Sequence, residues 1–250
     1  MVNPPIYIEK LELIRPNESF QAGLCLCWLT KFNQYEEIVA NLDPKEQQYY
    51  ETLKFEKRIK SYLTGRLAAK KAIAALTGNN NLAKIAIQRG IFTQPIATCE
   101  GQPNIQVSIS HCEDFGAAIA FPEAHPMGID LEKIAIKQNQ VIEREVTEAE
   151  INLIKTFPVP YEKMLTLLWT AKEALSKVLK TGLMTPFQIY EIAKIDLHPN
   201  YLLCTYKNFA QYKAMSFFLG KYSCSLTYPM KTELRVDLYS LRKALEICNE

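Results

Sequence analysis

No stretch of the 250-residue sequence reaches about 18 uninterrupted apolar residues, the minimum for a membrane-spanning helix. The first segment, MVNPPIYIEK, also lacks the basic start, apolar run and small-residue cleavage site of a secretion signal. Seven cysteines occur without a CxxC pair or a repeating framework, which favours reduced thiols. We therefore expect a soluble cytoplasmic protein.

An excess of charge of either sign is missing as well. The chain has 29 lysines and arginines against 27 aspartates and glutamates, a net charge of +2. This balance argues against a protein that coats nucleic acid and against an acidic tail, so any anion site must be local. A hydrophobic content of 48% suffices for a sizeable core, as one large domain or two small halves.

What the sequence does contain is a repeated order of strands and one principal helix. Capping boxes at Asp43 to Glu46 and Thr147 to Glu150 predict two helix starts, and helical periodicity predicts longer helices over residues 57–76 and 161–180. Alternation and turn signals predict strands over residues 7–13, 22–29, 84–88, 105–110, 115–121 and 127–134. Residues 187–238 form alternating segments, and a short helix is predicted over 239–248.

Two carboxylates lie together on one predicted strand. In Gly128-Ile129-Asp130-Leu131-Glu132, alternation puts Asp130 and Glu132 on one strand face. Neighbouring like charges repel unless a cation or basic groups lie between them, and oxygen ligands suit Mg²⁺. A solvated acidic edge is the alternative.

The long helix of the second half carries a further candidate cluster. Spacing of four residues places Trp169, Glu173 and Lys177 along one helix face. A Glu to Lys pair at this spacing is also an ordinary surface ion pair. The tryptophan on the same face favours a partly covered surface, and therefore a cleft.

A basic group and one histidine complete the candidates. Arg66 and Lys70 share a face of the helix over 57–76, whose start also carries Arg58. Guanidinium groups match phosphate oxygens, although a solvated helix face would look similar. His111 ends a short alternating strand, where ligand contacts are commonly built, but a lone histidine can equally be structural.

Taken together, these segments resemble the Sfp-type 4′-phosphopantetheinyl transferase family. The similar segments are G-I-D-L-E at 128–132, W-T-A-K-E-A-L-S-K at 169–177, P-N-I-Q-V-S-I-S-H at 103–111 and K-S-Y-L-T-G-R-L-A-A-K at 60–70. Their order and separations fit the family, and the resemblance spans residues 55–185.

The resemblance implies an α+β monomer of two similar halves, residues 1–124 and 125–250, related by a pseudo-twofold axis. Each half would hold a small antiparallel sheet with a packed long helix. The implied activity moves the 4′-phosphopantetheine arm of coenzyme A to a serine of an apo acyl or peptidyl carrier protein, with Mg²⁺ as cofactor. Neither nucleic acid nor a membrane is implied as a partner.

The resemblance also assigns residues. Asp130, Glu132 and Glu173 match the metal ligands, and Glu173 is the candidate base for the carrier serine. Lys177 would stabilise charge on the departing nucleotide, and His111 would contact its phosphates. The coenzyme A contacts implied by the resemblance are Arg58, Arg66, Ser110, His111, Lys172 and Lys177.

One departure from the family pattern affects the basic side of the site. Ser61 stands where many members have a basic residue, so Arg58 or Lys60 would have to supply the missing phosphate contact. Two other functions stay open at this stage. The chain could bind coenzyme A or a nucleotide without catalysis, or, less favoured by the net charge, bind nucleic acid through the basic helix.

Overall fold

The computed structural model of the protein describes residues 5–29, 35–91 and 93–246, and it is α+β with antiparallel sheets, as predicted. The described residues divide into two units, one containing residues 5–126 and 232–246 and the other Met127–Lys231. The predicted boundary at 124/125 lies close to the first division. The assignment of the C-terminal segment to the second half was wrong, because Leu234 pairs with Leu13 in the first unit.

The first unit is built around a five-stranded sheet and one long helix. The elements of this unit are β1 (Ile6–Ile14), β2 (Ser19–Trp28), α1 (Tyr35–Ala40), α2 (Pro44–Glu51), α3 (Glu56–Thr77), β3 (Ile85–Arg89), β4 (Pro95–Cys99), β5 (Ile105–Cys112), β6 (Phe115–Pro122), β12 (Glu233–Leu234) and α7 (Leu238–Glu246). The five-stranded sheet has the order β12-β1-β2-β6-β5, and a separate two-stranded sheet pairs β3 with β4. The predicted end of the last helix, at 248, lies outside the described residues.

The second unit also combines a five-stranded sheet with one long helix. Its elements are β7 (Gly128–Lys133), α4 (Asn139–Glu143), α5 (Glu148–Ile154), α6 (Tyr161–Leu179), β8 (Ile192–Leu197), β9 (Leu202–Tyr206), β10 (Tyr212–Leu219) and β11 (Tyr222–Pro229). The sheet has the order β7-β11-β10-β9-β8, and short 3₁₀ turns precede α4 and follow α6, at Ile136–Gln138, Gly182–Met184 and Phe187–Tyr190. None of the described helices combines the length and apolar character needed to cross a membrane.

Both capping boxes form, and in both units the capping glutamate has a second role. Besides closing its own helix start, Glu46 accepts a hydrogen bond from the Ile87 backbone at 3.1 Å and one from the Lys70 ammonium at 2.7 Å. All these groups are buried. Each glutamate therefore ties its short helix to a strand and to the long helix.

The second unit repeats this arrangement bond for bond. Glu150 closes the start of α5, accepts from the Ile192 backbone at 2.8 Å and binds the Lys172 ammonium at 2.6 Å. Burial of a charged pair costs free energy unless its hydrogen bonds are complete, as they are at this glutamate. The similar order of elements seen in the sequence is thus a duplication at the level of individual contacts.

Each long helix also approaches its sheet closely at one glycine. A Cβ atom at Gly23 would lie 2.0 Å from the carbonyl oxygen of Ala72, and one at Gly128 would lie 2.1 Å from that of Ala174. Only glycine permits such a close contact. Lys70 and Ala72 on α3 therefore correspond to Lys172 and Ala174 on α6, which gives one consistent alignment of the two units.

His125, at first sight an incidental loop histidine, is fully buried near the point where the chain leaves the first unit. Its Nε2 lies 2.8 Å from the hydroxyl of Thr232, the residue at which the chain returns to that unit. Burial lowers the pKa of His125 to about 4, and the charge of Arg15 acts in the same direction. The folded protein therefore holds this histidine neutral.

The folded protein should lose stability on acidification because of His125. Its folded pKa is below its ordinary value, so its stabilising contribution is complete above about pH 6.5 and is lost progressively as the pH falls to about 4. Between about pH 7.5 and about pH 5, wild type should lose about 2 kcal/mol of unfolding free energy relative to His125→Gln. Urea unfolding at the two pH values measures this difference.

The control for this experiment is His198→Gln, which changes a histidine in the loop between β8 and β9. If the stability difference between wild type and His125→Gln were the same at both pH values, or changed no more than in the control, the proposed role of His125 would be wrong.

Candidate functional site

In the second unit, Asp130 and Lys177 meet where α6 crosses β7. The Asp130 side chain is buried and faces the helix, and the Lys177 ammonium donates to its Oδ1 at 2.7 Å and to the Ile129 carbonyl at 3.0 Å. The close packing at Gly128 sets this distance, because it brings the last turns of α6 onto the strand. The predicted acidic strand face therefore points at the predicted helix face.

Glu173 lies one helical turn before Lys177 and joins the same cluster. Burial raises the pKa of Glu173, and the neighbouring charge of Asp130 raises it further. Lys177 and a hydrogen bond from Ser176 act in the opposite direction without cancelling the rise. The Lys177 ammonium is thus bound to buried Asp130, and half-buried Glu173 lies near enough for its charge to interact with both.

Glu132, the third predicted ligand, is half-buried two residues beyond Asp130 on the same strand. Within the described part of the chain, no three Asp, Glu, His or Cys side chains are gathered into a complete metal site. Mg²⁺ usually takes only one or two carboxylates and fills its other positions with water and substrate phosphates. Repelling carboxylate oxygens fit such an ion, and Glu132 remains a predicted ligand.

Lys172, predicted to contact coenzyme A, lies elsewhere. Its side chain is fully buried, and its ammonium donates to Glu150 at 2.6 Å and to the Glu145 carbonyl at 3.1 Å. Burial lowers its pKa, while Glu150 opposes that effect. The prediction is therefore corrected: Lys172 has no surface to offer a ligand and instead holds α5 against α6.

Trp169 completes the predicted face of α6. It is half-buried and stacks on Phe187, with ring centroids 4.8 Å apart and planes 15° from parallel. The aromatic pair covers the part of the helix that precedes Glu173. This packing is consistent with the prediction that the helix face with Trp169, Glu173 and Lys177 is partly covered.

The first unit contains a separate pocket of about 200 Å³ with a basic wall. Its charged lining residues are Arg58, Arg66 and Arg89, and His111 lies on the same wall. Three guanidinium groups around one opening suit a phosphate. Two of these arginines, Arg58 and Arg66, were predicted from the sequence, whereas Arg89 was not.

Aromatic and acidic neighbours hold two of the arginines. The Arg66 guanidinium lies over the Tyr62 ring at 4.7 Å, and its Nε is 3.1 Å from Glu46. Arg89, at the end of β3, lies over the Tyr49 ring at 4.3 Å and is more exposed. Arg89 therefore has more freedom to meet a ligand than Arg66.

Ser61, the departure from the family pattern, has a structural role in this pocket. Its hydroxyl lies 3.0 Å from Nε2 of His111, and both residues line the opening. Gly65, one turn further along α3, lies beside the ring, and a Cβ there would be in ordinary contact with Cδ2 of His111 at 3.9 Å. A hydroxyl here orients the histidine, where a long basic side chain would need more space.

Two other predicted contacts lie outside the lining of this pocket. The ammonium of Lys60 forms an ion pair with Asp114. Ser110 is buried on β5, next to His111 but not among the residues that line the opening. The basic wall therefore comes from the arginines and His111 rather than from Lys60.

Sequence reasoning missed two groups of residues. Arg89 is the last residue of β3, a strand that was predicted over 84–88 and that lies one residue later along the chain, and the glycine after it was the available signal. A set of buried hydroxyls behind Asp130 was also missed, in a C-terminal third that had shown no motif. Its signal was serine at alternate positions of a strand, Ser223 and Ser225.

The sequence matches two family models, one in each unit. Residues 27–123 match the 4′-phosphopantetheinyl transferase N-terminal family, and residues 126–227 match the 4′-phosphopantetheinyl transferase superfamily. No curated protein sequence matches the chain.

Among solved structures, the chain is similar to a holo-(acyl-carrier-protein) synthase from Bacillus anthracis, whose structure contains coenzyme A. The identity is 20% and the TM-score 0.35, over 44% of this chain and 96% of the synthase. The two family matches lie end to end and take in most of the chain, including the Asp130 cluster and the basic pocket. The chain therefore belongs to the 4′-phosphopantetheinyl transferase superfamily.

Proposed function

We propose that the protein is an Sfp-type transferase that moves the 4′-phosphopantetheine arm of coenzyme A onto a serine of an apo carrier protein. The products are the holo carrier and adenosine 3′,5′-bisphosphate. The observation that carries this proposal is the ion pair of Lys177 with buried Asp130, with the half-buried Glu173 carboxylate coupled to both charges, in a chain of the transferase superfamily.

The metal of the proposed reaction is Mg²⁺. Asp130, Glu132 and Glu173 would hold it, with the remaining ligand positions left to water and the pyrophosphate of coenzyme A. When bound, the ion supplies positive charge that polarises the phosphoryl oxygens. The mutual repulsion that raises the pKa of Glu173 would be relieved by the same ion.

Glu173 and Lys177 have different tasks in the transfer. The serine oxygen forms a bond to the β-phosphorus while the bond to the departing bisphosphate breaks, and the serine proton passes to the Glu173 carboxylate directly or through water. Lys177 lies one helical turn after Glu173, and its ammonium stabilises the negative charge that develops on the phosphates.

The basic pocket of the first unit is proposed to bind a phosphate of the coenzyme A nucleotide. Arg58, Arg66 and His111 keep the roles that the resemblance implied, and Arg89 joins them on the same wall. Fork-shaped guanidinium donors bind phosphate oxygens in pairs. Ser61 contributes indirectly, through its hydrogen bond to His111.

The acceptor is proposed to be an apo acyl or peptidyl carrier protein, modified by a cytoplasmic monomer. A comparison of transfer rates on apo carriers of both kinds decides between the two acceptors. If only one kind of carrier were modified, the transferase would be specific for that kind.

Removing either central carboxylate charge should stop the transfer. Asp130→Asn and Glu173→Gln preserve side-chain size, and the rate of holo carrier formation should fall at least about 100-fold in each. Intact mass of the carrier over time measures the rate, and circular dichroism checks the fold. Glu162→Gln, on the first turn of the same helix, is the control and should keep the wild-type rate. A wild-type rate in either carboxylate variant would remove that residue from the mechanism.

Arg89→Gln should weaken the binding of coenzyme A but not the chemical step. We expect KM for coenzyme A to rise about 10-fold with kcat little changed, since one charge-assisted phosphate contact is lost. The effect should vanish with 3′-dephospho-coenzyme A if the lost contact is to the 3′-phosphate. Lys57→Gln, an exposed charge at the start of α3 that does not line the pocket, is the control. Equal effects on both substrates would contradict a 3′-phosphate contact.

A further inference from the structure

A layer of buried hydroxyl groups lies between α6 and its sheet, behind the carboxylate cluster. The Thr170 hydroxyl lies 2.8 Å from that of Ser225 and 3.2 Å from that of Ser223, and Ser225 lies 2.7 Å from Ser216. All four side chains have no exposed surface. We call these residues, Thr170, Ser216, Ser223 and Ser225, the hydroxyl cluster.

The hydroxyl cluster is adjacent to the carboxylates. In the pairing of β7 with β11, Ser225 stands opposite Asp130 and Ser223 stands opposite Glu132. Residues directly opposite one another share a sheet face and have Cβ atoms about 5 Å apart. The two serines and two carboxylates therefore form a square on the face covered by α6.

The first unit provides an internal comparison, because it has the same helix-on-sheet contact. With Gly23 matched to Gly128, the positions of Asp130 and Glu132 correspond to Cys25 and Cys27. The register of the two sheets and the matched helices then give the counterparts of the hydroxyl cluster, which are Ala68, Ile109, Gly116 and Ala118. None of these four side chains bears a hydroxyl.

The fold therefore does not require the hydroxyl cluster. Burying a hydroxyl costs free energy that its hydrogen bonds only offset, and the first unit closes the same interface with alanine, isoleucine and glycine. At these four matched positions, hydroxyls are present only in the unit whose strand carries carboxylates. The hydroxyls therefore accompany the carboxylates and are not a requirement of the shared fold.

We propose that the hydroxyl cluster positions the carboxylates of Asp130 and Glu132 for the divalent cation, an inference that rests on the proposed function. The hydrogen bonds of the cluster tie α6 to β10 and β11 on the sheet face that carries both carboxylates, so they fix where Asp130 and Glu132 lie without adding a positive charge that would compete with the metal. Thr170 donates to the Leu167 carbonyl at 3.1 Å, so its oxygen accepts from the serines and fixes the cluster to α6.

Two variants convert the hydroxyl cluster toward the apolar form of the first unit. Thr170→Val keeps the shape but removes the hydroxyl, and Ser225→Ala reproduces Ala118. Thr170→Ser restores the hydroxyl. The matched control is Thr166→Val, because Thr166 is a buried threonine of the same helix whose hydroxyl binds only its own helix, at the Glu162 carbonyl.

Two measurements test the proposal, one of them independent of turnover. Electron paramagnetic resonance of free Mn²⁺ gives its dissociation constant in the presence of coenzyme A. The metal dependence of transfer gives the half-saturating Mg²⁺ concentration and kcat. In Thr170→Val and Ser225→Ala we expect about 10-fold weaker Mn²⁺ binding and a similar rise in half-saturating Mg²⁺, with kcat at saturating metal within about 2-fold of wild type.

Thr170→Ser and Thr166→Val should bind Mn²⁺ like wild type. Wild-type Mn²⁺ affinity in folded Thr170→Val and Ser225→Ala would overturn the proposal, as would an equal loss in Thr166→Val or no Mn²⁺ binding by wild type. If one variant fails to fold, the other decides. A wild type that binds Mn²⁺ but modifies no carrier would refute the proposed function while the Mn²⁺ comparison still decides the role of the hydroxyl cluster.

Discussion

The close contact of α6 with β7 at Gly128 is the constraint on which the candidate site depends. It leaves no room for a side chain between the helix backbone and the strand, so the helix turns that follow lie directly over Asp130. Lys177 binds Asp130 from the turn after this contact, and Glu173, beside Ala174, lies near enough for its charge to interact with that of Asp130. Any residue larger than glycine at position 128 would separate helix and sheet and pull the three charged groups apart. The chemistry of the site is therefore set by a backbone distance.

The same contact occurs in the first unit without the same chemistry. There, α3 approaches β2 at Gly23, and a buried lysine and glutamate hold the short helix in the same way as in the second unit. Cysteines replace the carboxylates, and the hydroxyls are gone. One scaffold thus supports a basic pocket at Arg58, Arg66 and Arg89 in one unit and a carboxylate cluster in the other. Function follows the residues placed on the scaffold, not the scaffold itself.

Much of the fold could be predicted because its signals are local. Asp43 and Thr147 each begin a helix through a complete capping box, and alternation located most strands. The placement of residues 232–246 could not be predicted, since the pairing of Leu234 with Leu13 joins segments far apart in sequence. Strand β4 was missed because its sequence does not alternate cleanly, since the apolar Ile96 lies at an exposed position.

The candidate site was predicted where the residue type itself carries the chemistry, as with Asp130 and Glu173. It was missed where the role depends on what lies across the interface. Lys172 is next to Glu173 in sequence, yet it points to Glu150 because successive helix residues are rotated by about 100°. Serine at alternate strand positions marks Ser223 and Ser225 but does not show what they face, and only the register of β7 with β11 places them opposite the carboxylates.

The central claim is metal-dependent transfer of phosphopantetheine, and intact-mass measurement of apo carrier proteins tests it most directly. Purified wild-type protein is incubated with coenzyme A and Mg²⁺ and with apo carriers of the acyl and peptidyl types, with and without a chelator. We expect at least one carrier to gain the mass of phosphopantetheine on its serine, and the chelator to prevent this gain. Absence of the added mass on every carrier, or an undiminished gain with the chelator present, would contradict it.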